Sequence, residues 1–194
     1  MKLSKTQEAE ILDVYNAYWD GYLKGDVKGI SALLADKYTQ VGSAETEVFY
    51  TKQEAVKFLR DTIDQVAGKA EMRNRRTRIE PQGSLILIHE LCDVYVLADA
   101  EWMFYSKFRA STLMGKTGRS WRIAHQHSSS PDARTGEGEN IATERIAAEN
   151  QQLREAIKRR TVELEQKHHE LEIETALERV RAVAMGMKVP ADML

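Results

Sequence analysis

The sequence reads Trp121-Arg122-Ile123-Ala124-His125-Gln126-His127-Ser128-Ser129 directly after a turn segment, 115–118, that contains two glycines. Trp121 and Ile123 alternate with polar or small residues, which is the period-two pattern of a half-buried strand. Because side chains on a strand point alternately to opposite faces, His125 and His127 are expected to share a face with Trp121 and Ile123. The stretch predicts the last strand of a sheet, joined to the preceding strand by a hairpin turn.

The residues before this strand divide into helices followed by strands. Capping-box patterns at Ser4 and Thr51 each begin a segment with apolar residues at helical spacing, and Asp26 can cap a short helix between them. Helices followed by a meander of strands predict an α+β domain, in which the helices cover one face of a curved antiparallel sheet and enclose a cone-shaped pocket. The predicted strands are 73–79, 85–97, 101–114 and 119–127.

The segment from Trp121 to Ser129 resembles the last strand of SnoaL-like domains, which belong to the nuclear-transport-factor-2-like superfamily. Its W-x-I-x-H-x-H-x-S pattern is also similar to the association domain of calmodulin-dependent kinase. The helix start at Asp26-Val27, the Gly42-Ser43 segment and the Thr51 cap fit the same template, so the resemblance covers about residues 5–131. It implies an α+β cone that is usually dimeric through its sheet. It leaves function open, because the superfamily mixes isomerases, cyclases, ligand-binding modules and oligomerisation modules.

Composition excludes several classes of protein. The 194 residues carry a net charge of -2, which gives no general electrostatic reason to bind nucleic acid or an anionic membrane. The single cysteine, Cys92, can form neither an internal disulfide nor a cysteine-based zinc site, and its apolar surroundings predict an inert buried thiol. No window approaches the ~20 apolar residues of a membrane span, and the first residues lack the apolar core of a signal peptide. We expect a cytoplasmic protein without a cofactor.

The aromatic residues divide the chain into two parts. All 14 lie between Tyr15 and Trp121, and aromatic side chains supply much of the burial in a compact core. A run rich in serine, proline and glycine follows, and after it no glycine or proline interrupts the chain from Glu139 to Met185. The predicted parts are a compact domain at 1–131, a linker at 132–138, a coiled-coil helix at 139–188 and a C-terminal tail at 189–194.

Eight residues are candidates for contacts with a ligand inside the cone. The aromatic stripe on the first helix is expected to face the cone in part, and the alternative is that it only fills the core. The two histidines could serve as acid-base groups or ligand contacts, or as hydrogen-bonded residues at a sheet edge, and two residues are too few to hold a metal ion. The candidates are Tyr15, Tyr18, Trp19, Tyr22, Arg109, Trp121, His125 and His127.

Arginines crowd the strand that begins at Arg73. Strict alternation puts Arg73 and Arg75 on one face of the strand and Arg76 and Arg78 on the other. One such face could offer guanidinium groups to a carboxylate ligand, and the alternative is a set of solvated or ion-paired side chains. Arg109 lies at a position that resembles one where the family often has arginine, so it is the better single candidate for an anion contact. The alternative interpretation is that it forms an ion pair with a neighbouring residue.

The segment after the linker carries a heptad pattern, which predicts a parallel two-stranded coiled coil. Asn150 takes an a-type position, where a buried asparagine fixes register. A second phase starts at Ile173 and breaks the heptad, which changes the local supercoil winding. The alternative is an ordinary exposed helix with incidental periodicity. The first-phase positions are Ile146, Asn150, Leu153, Ile157, Arg160, Leu164, Lys167 and Leu171.

The second phase resembles the connector helix of bacterial sensor histidine kinases and nucleotide cyclases, on the evidence of the run from Ala176 to Met187 and the acidic residues 170–174 before it. Val183 and Gly186 depart from that pattern. The resemblance implies an output domain beyond residue 194, since no phosphoacceptor, nucleotide-binding or cyclase motif occurs within these residues.

These observations favour a dimeric sensory input module that binds a small molecule and relays through its coiled coil to a C-terminal effector domain. The first alternative is an enzyme of the isomerase or cyclase type, which requires an acid-base pair inside the cone. The second is a pure oligomerisation module, which requires a filled cone. No catalytic residue is assigned, and whether the domain is an enzyme stays open.

Overall fold

The computed structural model describes residues 3–185, which divide into two compact units at the boundary between Pro131 and Asp132. The first unit contains three α-helices and the whole sheet, and the second contains one long helix. Within the described residues, none of the helices combines the length and the apolar character that a membrane crossing requires.

Local capping explains where the helices of the first unit begin. Ser4 and Gln7 exchange side-chain and backbone hydrogen bonds, and Thr51 and Glu54 form a second pair of the same kind. The Asp26 carboxylate accepts from a backbone N–H in the first turn of the second helix. All three predicted helix starts are confirmed. The helices are α1 (Lys5–Lys24), α2 (Val27–Leu33) and α3 (Lys52–Thr62), and a short 3-10 turn follows at Ile63–Gln65.

Six strands form one sheet in the order β2-β1-β6-β5-β4-β3. Neighbouring strands are antiparallel except β1 and β6, which run parallel. The predicted α+β fold, with N-terminal helices on an antiparallel sheet and a long C-terminal helix, is confirmed. The strands are β1 (Leu34–Val41), β2 (Val48–Phe49), β3 (Ala70–Gln82), β4 (Leu85–Ala98), β5 (Glu101–Thr117) and β6 (Ser120–Ser129).

The two faces of the sheet differ in burial. The face that the helices cover, here called the inner face, carries Ile86 and Ile88 of β4, Met114 of β5 and Ile123 of β6, all of them fully buried. These side chains join Ile11, Tyr15 and Ile30 of the helices in one core. The outer face carries the side chains that alternate with them, most of which are polar or charged. The candidate Trp121 lies in the buried core on the inner side.

A β-bulge in β6 corrects the predicted position of the histidines. Ile123 pairs with Met114 and His125 pairs with Leu113, so Ala124 is an extra residue without a partner of its own. An extra residue reverses the alternation of side chains beyond it. His125 and His127 therefore lie on the outer face, and the expectation that they share a face with Trp121 and Ile123 is wrong.

A second bulge corrects the predicted faces of the arginines in β3. Arg73 pairs with Asp93 and Arg76 pairs with Leu91, so two residues of β3 lie opposite one residue of β4, Cys92. The first of the two, Asn74, has a φ of 53°. The insertion puts Arg73 on the outer face together with Arg76 and Arg78, while Arg75 turns to the inner side. The strict alternation predicted for these four side chains is therefore wrong at Arg73 and Arg75.

The second unit consists mainly of α4, which spans Thr143–Ala184 and has 42 residues, none of them buried. At about 1.5 Å per residue it is ~63 Å long. It begins at Thr143 rather than at the predicted residue 139. The predicted helix end at 188, the connector positions Gly186 and Met187 and the tail 189–194 lie outside the described residues.

Candidate functional site

A cavity of about 350 Å³ lies between the helices and the inner face of the sheet. Its lining is mainly apolar, with Trp19 from α1, Phe58 and Leu59 from α3, Val94 from β4 and Phe108 from β5. Polar side chains are fewer and come mainly from β1, β6 and the loop before β2. This volume falls within the range of sites for small molecules, which are usually apolar concavities with a few convergent polar groups.

The aromatic stripe of α1 forms one wall of this cavity. Tyr18, Trp19 and Tyr22 line it, whereas Tyr15 is buried deeper in the core. The Trp19 ring meets the rings of Tyr18, Tyr22 and Phe108 edge to face, at centroid distances of 5.1, 6.0 and 5.5 Å. Edge-to-face contacts are a favourable arrangement of aromatic rings, so they stabilise this wall.

Two glutamine amides form the polar side of the cavity. The Tyr18 hydroxyl donates to Gln126 Oε1 at 2.8 Å, and the Tyr38 hydroxyl donates to Gln40 Oε1 at 2.9 Å. Gln126 Nε2 faces Thr112 Oγ1 at 3.4 Å, whereas Gln40 Nε2 makes no hydrogen bond to the described residues. Burial raises the pKa of the Tyr18 and Tyr38 phenols well above their ordinary value, so both are neutral donors at physiological pH. The strand pattern did not predict Gln126 at the cavity, because the bulge at Ala124 turns this side chain inward in place of the histidines.

Replacing Tyr18 by phenylalanine is expected to reduce the free energy of unfolding by about 1–2 kcal/mol. The substitution removes the donor and leaves Gln126 Oε1 buried without its partner. Urea unfolding followed by circular dichroism measures the change. Tyr50→Phe is the control, because the Tyr50 side chain is 78% exposed and its loss of a hydroxyl should leave stability unchanged. Equal effects of the two substitutions would contradict the role assigned to the buried bond.

Glu47 is the one carboxylate among the described residues that line the cavity. Its Oε2 accepts from the backbone N–H of Ser43 at 3.0 Å and lies 3.4 Å from that of Ala44, so it holds the loop before β2. Burial raises the pKa of Tyr22, and the negative charge of Glu47 adds to the shift. The Glu47 carboxylate thus acts as a structural acceptor for the loop.

A buried ion pair that the sequence pattern did not predict lies beside the aromatic wall. Glu90 of β4 faces inward with a fully buried side chain, and Arg75 approaches it through Nε and Nη2, the latter 2.9 Å from Oε2. Burial raises the pKa of the neighbouring Tyr15, and the charge of Glu90 adds to the shift. The sequence feature that could have indicated this pair is a glutamate, Glu90, at an inward position within the apolar run 85–97.

The remaining candidates lie away from the cavity. His125 Nδ1 is 2.8 Å from Thr39 Oγ1 on the outer face, and His127 beside it is exposed. Arg109 is also exposed on the outer face of β5. The structure therefore brings three of the eight candidates together at the cavity: Tyr18, Trp19 and Tyr22. Within residues 3–185, no group of three or more His, Cys, Asp or Glu side chains is placed to hold a metal ion.

The environment of His125 predicts a pH dependence of stability. Desolvation lowers its pKa below the ordinary 6.5, and the charge of His127 lowers it further. The unfolded chain then binds more protons than the folded one as the pH falls below 6.5, so this contribution to stability is present above pH 6.5 and is lost on acidification. We expect His125→Asn to lose less stability than the wild type between pH 7 and 5.5, measured by urea unfolding. An unchanged slope would contradict the assignment.

Comparisons with known proteins agree with this architecture. A family model described as a SnoaL-like domain matches residues 11–133. An NTF2-like protein of unknown function from Pseudomonas putida KT2440 is 20% identical, with a TM-score of 0.58 over 68% of this chain and 92% of that one. A putative dehydratase of the NTF2-like family from Streptomyces avermitilis is 13% identical, with a TM-score of 0.58 over 67% of this chain and 100% of that one.

A third solved structure, a domain of unknown function with a cystatin-like fold from Nostoc punctiforme PCC 73102, is 12% identical, with a TM-score of 0.60. The match covers 84% of this chain and 99% of the Nostoc chain. No curated protein matches the sequence. At these identities the structural neighbours establish the fold.

Proposed function

The chain belongs to the SnoaL-like domain family through residues 11–133, and we propose that this domain is a ligand-binding input module for a small, mainly apolar molecule. The module would act as a dimer in the cytoplasm. Its second unit would pair with that of another copy and relay ligand binding to an effector domain outside this chain. SnoaL-like and NTF2-like folds host unrelated activities, so the proposal rests on the site.

The observation that carries the ligand-binding proposal is the composition of the cavity. Rings from Trp19, Phe58 and Phe108 form a wall suited to an apolar body, and Gln40 Nε2 offers N–H donors that no described residue engages. A ligand that leaves a free donor without a partner loses affinity relative to one that supplies an acceptor. The site therefore favours a neutral ligand with an aromatic or alicyclic body and one hydrogen-bond acceptor such as a carbonyl oxygen.

Thermal unfolding in the presence of two matched probes tests this proposal. Acetophenone has an aromatic ring and a carbonyl acceptor, and ethylbenzene has nearly the same shape without the acceptor. Because binding to the native state raises the unfolding temperature by mass action, acetophenone is expected to give the larger increase at equal concentration. In Gln40→Leu the advantage of acetophenone should disappear.

Val94→Trp is the variant that fills the cavity, since Val94 lies in its wall. It should abolish the temperature increase for both probes. Val41→Trp, on the outer face of β1, is the control and should keep the increase. If Val94→Trp responds to both probes as the wild type does, the ligand does not bind in this cavity and the proposed function fails.

The enzyme alternative is less well supported by the same lining. An isomerase or cyclase needs a carboxylate free to move a proton near a donor that stabilises the developing charge. Among the described residues of the lining, Glu47 is the carboxylate available, and it accepts from the loop amides of Ser43 and Ala44. A pure oligomerisation module gains no support from a cavity of about 350 Å³.

The relay part of the proposal draws on α4. Its heptad positions carry large apolar side chains, and Leu153, Ile157 and Leu164 are each more than half exposed. A helix of this length with exposed apolar positions at 4-3 spacing gains most of its stability by pairing with a second helix. A second contact between subunits is proposed at the end of the outer face where Tyr95 and Phe104 pack edge to face at 5.7 Å, four residues along β4 from Leu91.

The proposed mechanism is a population shift. A ligand that binds one arrangement of the two subunits more tightly than another favours the first by the difference in affinity. Two paired helices can convey such a change along their length, and the heptad break at Ile173 is where the supercoil winding would change. The effector that receives the change is proposed from the resemblance of residues 176–187 to a signalling connector.

A further inference from the structure

The outer face of the sheet carries several arginine and lysine side chains, only some of which are ion-paired. Three of them have a carboxylate partner on the same face. The pairs are Arg73 with Glu71 at 2.7 Å, Arg78 with Glu80 at 2.7 Å and Lys107 with Asp93 at 2.6 Å. Among the described residues, three arginines of this face have no such partner, namely Arg76, Arg109 and Arg122, and Arg122 Nη1 donates to the backbone carbonyl of Trp121 at 2.9 Å. Neither Arg76 nor Arg109 has a carboxylate within 4 Å among the described residues.

These two arginines occupy the same level of the sheet. Arg76 of β3 and Arg109 of β5 both pair with Leu91 of β4, one from each side. Residues paired in this way point to the same face, and strands two apart are separated by about 10 Å. The two guanidinium groups therefore flank one exposed leucine.

A surface depression joins the two arginines. Its volume is about 470 Å³, and its lining includes Arg76, Arg109, Leu91, Lys107 and one carboxylate, Asp93. Asp93 accepts hydrogen bonds from Asn74 at 2.7 Å and from Lys107 at 2.6 Å. The Leu91 side chain is 46% exposed and forms an apolar floor. The bulge at Asn74 contributes to this geometry, because it turns Arg75 inward to Glu90 and leaves Arg76 on the outer face. Without the bulge, Arg75 would take the outward position instead.

We propose that this depression binds a small ligand through an oxyanion, which is either a carboxylate or a phosphate group. Arginine presents planar N–H pairs that match both groups, and two arginines on opposite sides of one anion provide charge and geometry together. Arg76 and Arg109, neither of which has a carboxylate within 4 Å among the described residues, supply the attraction for the anion, while the Asp93 carboxylate is neutralised by Lys107. Leu91 offers contact to an apolar part of the ligand. This site is separate from the inner cavity and does not rest on the proposed ligand of that cavity.

Titration of the full chain with two probes tests the proposal. Inorganic phosphate and benzoate are added separately in a buffer of low ionic strength, and binding is followed by amide chemical shifts and calorimetry. We expect saturable binding of at least one probe. A preference for benzoate assigns the ligand to carboxylates with an apolar body, and a preference for phosphate assigns it to phosphate groups.

Arg76→Gln and Arg109→Gln should each lower the affinity for the preferred probe about tenfold or more, and the double variant should show no saturable binding. Arg76→Lys keeps the charge but loses the planar N–H pair, so its affinity should lie between wild type and Arg76→Gln. Arg78→Gln is the matched control, since Arg78 lies on the same strand and face and is paired with Glu80. It should bind as the wild type does.

Because both arginines are exposed, the variants are expected to unfold at the wild-type temperature, which a thermal scan checks. Absence of saturable binding of either probe by the wild type, up to about 10 mM, would overturn the proposal. Equal losses in Arg76→Gln and Arg78→Gln would also overturn it, because they would indicate attraction by the whole face rather than a site.

Discussion

Replacing Arg75 by leucine is expected to lower the free energy of unfolding by about 3 kcal/mol or more, which is among the largest effects of any single substitution in the first unit. The Glu90 side chain is completely buried, and Arg75 supplies both of its charge-assisted hydrogen bonds. Removing the cation leaves a carboxylate in the core without compensation. In a domain of this size the unfolding temperature should fall by about 10 °C, and urea unfolding should give the free energy directly.

Replacing Glu90, the other partner of the pair, should lower the free energy of unfolding by less. In Glu90→Leu the guanidinium group loses its partner, but the Arg75 side chain is 27% exposed and can turn toward water. The double variant Arg75→Leu/Glu90→Leu should recover most of the stability, because replacing a buried pair by apolar groups is often close to neutral. Arg73→Leu is the matched control, since its ion pair with Glu71 is more than 40% exposed on both sides, and it should cost less than ~1 kcal/mol. Equal costs for Arg73→Leu and Arg75→Leu would contradict this account.

Replacing Leu153 by glutamate is expected to weaken self-association of the chain by about 100-fold or more. Leu153 occupies a heptad position of the proposed seam, and its side chain is 60% exposed in the single chain. In a paired coil the substitution removes two buried leucines and brings two like charges together, each of which disfavours the dimer. Sedimentation equilibrium over a range of concentrations measures the dissociation constant.

Val162→Glu is the control for this substitution. Val162 is also an apolar residue of α4, with 55% exposure, but it lies opposite the seam. Its replacement introduces the same charge into the same helix and should leave the dissociation constant unchanged. If both variants associate as the wild type does, the heptad pattern plays no part in assembly.

The features that sequence analysis predicted correctly depend on local interactions. Ser4, Asp26 and Thr51 cap helices through bonds that span three residues, so the pattern contains all the partners involved. The aromatic stripe of α1 was placed at the cavity because helical spacing fixes which side chains share a face. Tyr18, Trp19 and Tyr22 line the cavity, and Tyr15 lies beyond it because its position on the helix points deeper into the core.

The features that were missed depend on the pairing of distant strands. A bulge changes the face of every following side chain, and neither the Ala124 nor the Asn74 bulge has an unambiguous signature in the sequence. Because of the first bulge, Gln126 faces the cavity, and His125 and His127 face outward. The second separates Arg75 from Arg73 and makes Arg75 the partner of Glu90, which lies 15 residues away on the next strand.

The proposed relay requires that two copies of the chain pair along α4 in parallel. Single cysteines at Leu153 and Leu164, introduced separately after Cys92 is replaced by alanine, test it most directly under mild oxidation. The two sites lie about 16 Å apart along the helix, so efficient linking of identical residues at both sites requires a parallel arrangement in register. We predict disulfide-linked dimers at both positions and much slower linking at Glu155, which lies off the seam. Failure to link at either seam position, or equally fast linking at Glu155, would contradict the claim.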